Sequence, residues 1–108
     1  MSTRHLTGPS EEGSVVVDIG GDVGAAIVST PASFVGSEIE IRRCDAAWDG
    51  THVSVRERHV SGGVLHAALF SGLEFGRYEV RLRGDPASPV ASLTVEGGRV
   101  SATRLHCL

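Results

Sequence analysis

What most constrains this chain is its punctuation. About eight short runs rich in Val, Ile, Leu and Thr are cut apart by Gly, Pro and Asp before any reaches the length of a helix. The runs are Ser14–Ile19, Ala25–Thr30, Glu38–Arg43, Thr51–Val60, Val64–Phe70, Arg77–Arg83, Val90–Glu96 and Arg99–His106. No stretch sustains a helical apolar period. Pro31, Pro86 and Pro89 fall between runs, where they cost no ladder N–H. Thr30 to Gly36 allows one short helical turn, with Thr30 as N-cap and Pro31 at the first helical position. Spacing of this kind is that of sandwiches and barrels, so the chain is expected to be all-β.

Side-chain alternation assigns faces to several runs. In Glu38–Arg42 the two isoleucines, Ile39 and Ile41, share one face and the two glutamates share the other. Tyr78, Val80 and Leu82 are expected inward and Glu79, Arg81 and Arg83 outward, and Leu93 and Val95 repeat the device. Val15, Val16 and Val17 show no alternation, which suits a strand covered on both faces or one that presents a patch to a partner. The pairs Gly20-Gly21, Gly62-Gly63 and Gly97-Gly98 predict three hairpins. A two-residue turn at Gly62-Gly63 sets His59 opposite His66 and gathers Val53, Val55 and Phe70 on one apolar face. A three-residue turn through Ser61 would put His66 opposite Arg58 instead. The apolar grouping favours the first register.

Composition narrows the function classes. The 108 residues suit one domain, with Met1–Gly13 expected as a disordered polar tail and residues 14–108 as the folded unit. No apolar run is long enough to span a membrane and the leading segment has no apolar signal centre, so the expectation is a cytoplasmic protein that engages no membrane. A net charge of -3 supplies no basic excess for phosphates, and one Trp, one Tyr and three Phe make a poor stacking platform; nucleic acid is not an expected partner. All ten basic residues are Arg and the chain has no Lys, Asn or Gln, which reads as the codon bias of a GC-rich genome and weakens any single Arg as a sign of anion binding. Cys44 and Cys107 lie in no C-x-x-C motif and are expected as reduced thiols.

The segment Phe70-Ser71-Gly72-Leu73-Glu74-Phe75-Gly76-Arg77-Tyr78-Glu79-Val80 resembles the F-x-x-L-x-x-G-x-Y-x-V signature of prealbumin-like β-sandwiches. That group includes the collagen-adhesin B-type repeats, the carboxypeptidase regulatory-like domains and the transthyretin-like proteins. The resemblance implies an antiparallel Greek-key sandwich of seven or eight strands, in which an inward Phe and Leu end one strand, a Gly turns the corner and an inward Tyr starts the next. It implies no activity. The isopeptide-forming members need a reactive Lys and Asn, which this chain lacks, and the Tyr-Arg-Gly-Ser tail of the transthyretin-like hydrolases is replaced by Thr103-Arg104-Leu105-His106-Cys107-Leu108.

Four constellations bear on chemistry. Asp18–Gly24 resembles the phosphate-binding hairpin of sugar-kinase and actin-like ATPases, but a chain this short has no room for their two domains, and a Gly-rich turn capped by its own acids is the plainer reading. His59 and His66, with Glu57 or Cys107 as a third ligand, form a candidate zinc or copper site. Arg56-Glu57-Arg58-His59 with Arg42-Arg43 is a candidate positive strip, or simply a solvated strand face. Trp48, in the loop Cys44–Gly50, is a candidate interface anchor or a lid on one end of the sandwich. No G-x-S-x-G elbow marks a nucleophile. The expected function is therefore a non-catalytic protein-interaction or accessory module, self-association included, with Val15–Val17 and Trp48 as partner-binding candidates. A small metal-binding domain and a small transthyretin-like hydrolase are the alternatives.

Overall fold

In a computed structural model that describes residues 21–106, the chain is an all-β sandwich of two four-stranded sheets. The strands are β1 (Val23–Ser29), β2 (Glu38–Arg43), β3 (His52–Ser54), β4 (Arg56–Val60), β5 (Gly63–Glu74), β6 (Gly76–Leu82), β7 (Val90–Val95) and β8 (Val100–Arg104). Sheet I has the order β4-β5-β1-β8 and sheet II the order β3-β2-β6-β7. Every neighbouring pair is antiparallel except β1 and β8, which run parallel. The helical turn shrinks to one 3-10 turn, Ala32–Phe34, with Pro31 at the cap position and Thr30 outside it. The expected tail and the run Ser14–Ile19, with Val15, Val16 and Val17, lie outside the described residues.

The core follows the alternation. Ile39, Ile41, Tyr78, Val80, Leu93 and Val95 of sheet II close on Ala26, Val28, Ala68 and Phe70 of sheet I, with Phe34, Val55 and Leu105 sealing the cluster. Burying one such aliphatic or aromatic side chain contributes about 1.5–3 kcal/mol, so these inward rows hold the two layers together.

Three expectations are corrected. Thr51–Val60 is two strands in different sheets, because Val55 leaves both ladders: its N–H donates to the Ser37 carbonyl, its carbonyl accepts from Gly36, and its side chain turns into the core. The β4-β5 hairpin pairs Val60 with Gly63 across Ser61-Gly62, so His59 faces Val64 and His66 faces Glu57. Neither register anticipated from the sequence is adopted. Val53 and Val55, which favoured the expected one, belong to β3 and to the corner and exert no pull on the hairpin. Nor does each Gly pair make a ladder hairpin: Gly97-Gly98 joins β7 of one sheet to β8 of the other, whereas the hairpin expected at Gly20-Gly21 lies partly outside the described residues.

The motif of the resemblance sits at the other crossover. Ser71 and Gly72 form a bulge in β5, where the partners of Gly24 and Ala26 are Leu73 and Phe70, and Gly72 takes the left-handed φ of 68° that the extra residue needs. The bulge returns Leu73 to the core side after Phe70. The chain then passes through Gly76 into sheet II, where buried Tyr78 donates its hydroxyl to the Glu74 carbonyl at 2.7 Å and ties the start of β6 to the end of β5.

Candidate functional site

Each sheet has an outer face, and the two differ in kind. On sheet II, β2 presents Glu38, Glu40 and Arg42 while the antiparallel β6 presents Arg77, Glu79 and Arg81, with Arg83 one residue beyond its end. The register puts Glu40 beside Arg81 and Arg42 beside Glu79, and the Arg83 N–H donates to the Glu38 carbonyl, so each acid meets a guanidinium. Arg81 Nε donates to Glu40 Oε1 at 2.9 Å, Arg42 Nη2 to Glu79 Oε1 at 2.7 Å, and Arg83 Nη1 to Glu38 Oε1 at 3.1 Å. Glu40 is only 6% exposed, although its alternation points it away from the core.

Trp48 covers part of this lattice. The guanidinium carbons of Arg81 and Arg42 lie 4.0 and 4.5 Å from its ring centroid, near enough for cation–π attraction to both. Its loop is pinned by Asp49, whose Oδ1 accepts the Thr51 N–H at 2.9 Å. That backbone bond, followed by a further one from the Thr51 side chain, lowers the carboxyl pKa from its ordinary value. At the edge, His52 Nδ1 donates to the Gly50 carbonyl at 2.7 Å, which leaves Nε2 to accept from Arg83 at 3.3 Å. Trp48 is thus neither a lid on the sandwich end nor a member of the core: it lies against the guanidiniums of Arg42 and Arg81.

The outer face of sheet I has a different composition. Across its strands run Val60 on β4, Leu65, Ala67 and Leu69 on β5, Val23, Ala25 and Ile27 on β1, and Val100 and Ala102 on β8, with Ala25 and Ala67 fully buried among their neighbours. Its arginines gather toward one end. Arg56, Ala67, Ser29 and Arg104 form one row across all four strands, and Arg58 stands in the next row beside Leu65. Arg58 Nε donates to the Ala67 carbonyl, and burial first, then the charge of Arg56, lowers its pKa from the ordinary arginine value. Among the described residues, Arg56, Arg58 and Arg104 make no ion pair. Glu74 lies at the opposite end of the face.

The histidine constellation is brought together only in part. His59, His66 and Glu57 share one face of the β4-β5 hairpin, but His59 and His66 are diagonal instead of opposed. No group of three His, Cys, Asp or Glu with metal-ligand spacing occurs among the described residues, and Cys107 lies outside them. The positive strip does not form: Arg42 pairs with Glu79 and Arg43 turns to the Tyr78 hydroxyl in sheet II, whereas Arg56–His59 edge sheet I. Among the described residues, one cleft of about 270 Å³ is lined by Arg81, Gly84, Asp85 and Pro86, and another of about 230 Å³ by Pro89, Val90, Ala91, Arg104, Leu105 and His106. Both fall below the size usual for small-molecule sites.

Sequence reasoning passed over the Glu–Arg lattice, although a signal was there. Glu38-x-Glu40-x-Arg42 read against Arg83-x-Arg81-x-Glu79 gives opposite charges at three successive outward positions, a pattern that fixes both partner and register. Comparison with known proteins adds no relative: no family model matches the chain, and no curated protein or solved structure matches it.

Proposed function

We propose that this chain is a non-catalytic interaction or accessory module on a prealbumin-like sandwich, and that it holds a protein partner on the outer face of sheet I. One observation carries the reading: that face has apolar residues on all four strands and its three arginines have no carboxylate partner among the described residues, while on the other outer face Glu38, Glu40 and Glu79 each hold an arginine and, among the described residues, Arg77 is left without a carboxylate. The partner surface this fits is apolar at its centre and acidic at the end that meets Arg56, Arg58 and Arg104. The prealbumin-like assignment is supported by the motif residues, since Phe70, Tyr78 and Val80 are buried, Leu73 packs on the core and Gly76 stands at the crossover. A cytoplasmic setting belongs to the same reading and rests on the sequence.

The test is a photo-reactive side chain at Leu69 on this face, compared with one at Thr94 on the outer face of sheet II, in cells of the source. A recurrent protein adduct from position 69 alone, weakened by Ile27→Asp, is the expected result. Equal adducts from both faces, or none from position 69, would remove the reading.

A further inference from the structure

Sheet I ends in two edge strands of five residues each, and their chemistry is opposite. Strand β4 reads Arg56-Glu57-Arg58-His59-Val60, a run of charge of the kind that keeps an edge from pairing with another chain. Strand β8 reads Val100-Ser101-Ala102-Thr103-Arg104, with no Pro, no acid and one charge at its end. Its odd-numbered residues serve the interior of the sheet: the Arg99 carbonyl accepts from Ala25, and the Leu105 N–H donates to Ser29. By the alternation of a parallel ladder, the N–H and C=O groups of Val100, Ala102 and Arg104 therefore point away from β1. β8 has one hydrogen-bonded neighbour among the described strands.

We infer that β8 is a dimer seam, on which a second copy of this chain adds its own β8 antiparallel across a two-fold axis at Ala102. The pattern is complementary to itself. With Ala102 opposite its equivalent, Val100 of each copy faces Arg104 of the other, and the three outward residues of both strands exchange N–H···O bonds in the pairs that an antiparallel ladder makes. No like charges meet: the two Arg104 side chains lie at opposite ends of the seam. The two-fold also brings the arginine-bearing end of sheet I, with Arg104, alongside the copy's other end, where Asp22, Glu74 and Glu96 are exposed. Val100 and Ala102 of both copies would make one apolar face continuous over eight strands. The inference goes beyond the docking reading, since it concerns the sheet's edge and not its face, and the two fail separately.

The experiment uses the full chain. Native mass spectrometry of the wild type should show a dimer. Ala102→Cys, in a chain also carrying Cys44→Ser and Cys107→Ser, should oxidise to a disulfide-linked dimer. Ala102→Asp sets two carboxylates against each other at the axis and should raise the dimer dissociation constant at least tenfold with the far-ultraviolet circular dichroism unchanged. A wild type that stays monomeric at tens of micromolar overturns the inference, including the case in which the chain's own leading residues take the edge. So does a dimer that neither cross-links through position 102 nor responds to Ala102→Asp. Loss of the Leu69 adducts with the dimer intact would remove the docking reading alone.

Discussion

The outer faces of the two sheets share strand geometry and differ in how they meet water. On sheet II the antiparallel register of β2 and β6 sets acids against guanidiniums, and Trp48 lies over Arg42 and Arg81. On sheet I the same pleat carries Leu65, Leu69, Ile27 and Val100, with three arginines toward one end that make no ion pair among the described residues. A face whose charges are matched within the molecule gains little by exchanging them for a partner's, because both ions would have to be desolvated again. A face of apolar side chains gains from any complementary cover. The lesson is that charged residues on a strand do not by themselves mark a binding surface; what counts is whether register has already matched them.

The largest way to break the comparison is to part the sheets that carry it. Gly24 in β1 sits where the β7-β8 connection crosses, and a Cβ there would run into the carbonyl oxygens of Glu96 and Arg99. Gly24→Ala should cost about 3 kcal/mol, read as a lowered urea midpoint, because backbone on both sides leaves no side chain to yield. A cost below about 1 kcal/mol would mean that the crossing is looser than the geometry requires. Next comes the lattice. Glu40→Ala strips a buried carboxylate from Arg81 and should cost about 2 kcal/mol, with a change in Trp48 emission as Arg81 shifts. On the opposite face, half-buried Ile27→Ala should cost about 1 kcal/mol and leave that emission unchanged. If the two changes cost the same and both move the Trp48 signal, the faces are not energetically distinct.

How much of this was readable in the sequence depends on which forces were local. β2 was bounded at Glu38–Arg43 by strict alternation, and the inward residues of β6 and β7 followed the same rule, because one face of each strand is core. The corner at Val55 was hidden. Val53-Ser54-Val55-Arg56 keeps alternating through the switch of sheets, no Gly or Pro marks it, and the backbone bonds that cause it come from Gly36 and Ser37. β5 was cut short at Phe70 because Ser71-Gly72 reads as a terminator, although here it is a bulge inside a twelve-residue strand. The apolar outer face of sheet I left no alternation to find in Val23–Ser29, since both faces of that strand are hydrophobic. As for Trp48, its loop carries no periodic signal, and its position depends on two arginines from different strands.

Smaller changes sharpen the contrast within sheet II. Trp48→Ala should cost about 1 kcal/mol through the lost cation–π contacts. Glu38→Ala, at a pair exposed on both sides, should stay within about 0.5 kcal/mol and disappear at high salt. A Glu38→Ala effect as large as that of Glu40→Ala would show that burial is not what strengthens the lattice.

The smallest expected effect reaches the lattice through a loop. Asp49 is solvent-exposed, and its carboxylate is favoured in the folded state by the Thr51 N–H, so its folded pKa lies below the unfolded one. A depressed carboxyl pKa contributes stability that is present above the unfolded value, near 3.8, and lost as pH falls through the lower folded value. Acidification below about 4 should therefore loosen the loop that carries Trp48, seen as a shift in its emission before the sandwich unfolds. Other carboxylates stand close to Trp48 through the arginines it covers, so the assignment needs a variant that keeps the bond but not the proton. Asp49→Asn does that, because the amide oxygen still accepts from Thr51 and cannot titrate. If the early emission change survives in Asp49→Asn, it belongs to the Glu–Arg lattice itself, and the loop is held by the arginines beneath Trp48 more than by its own turn.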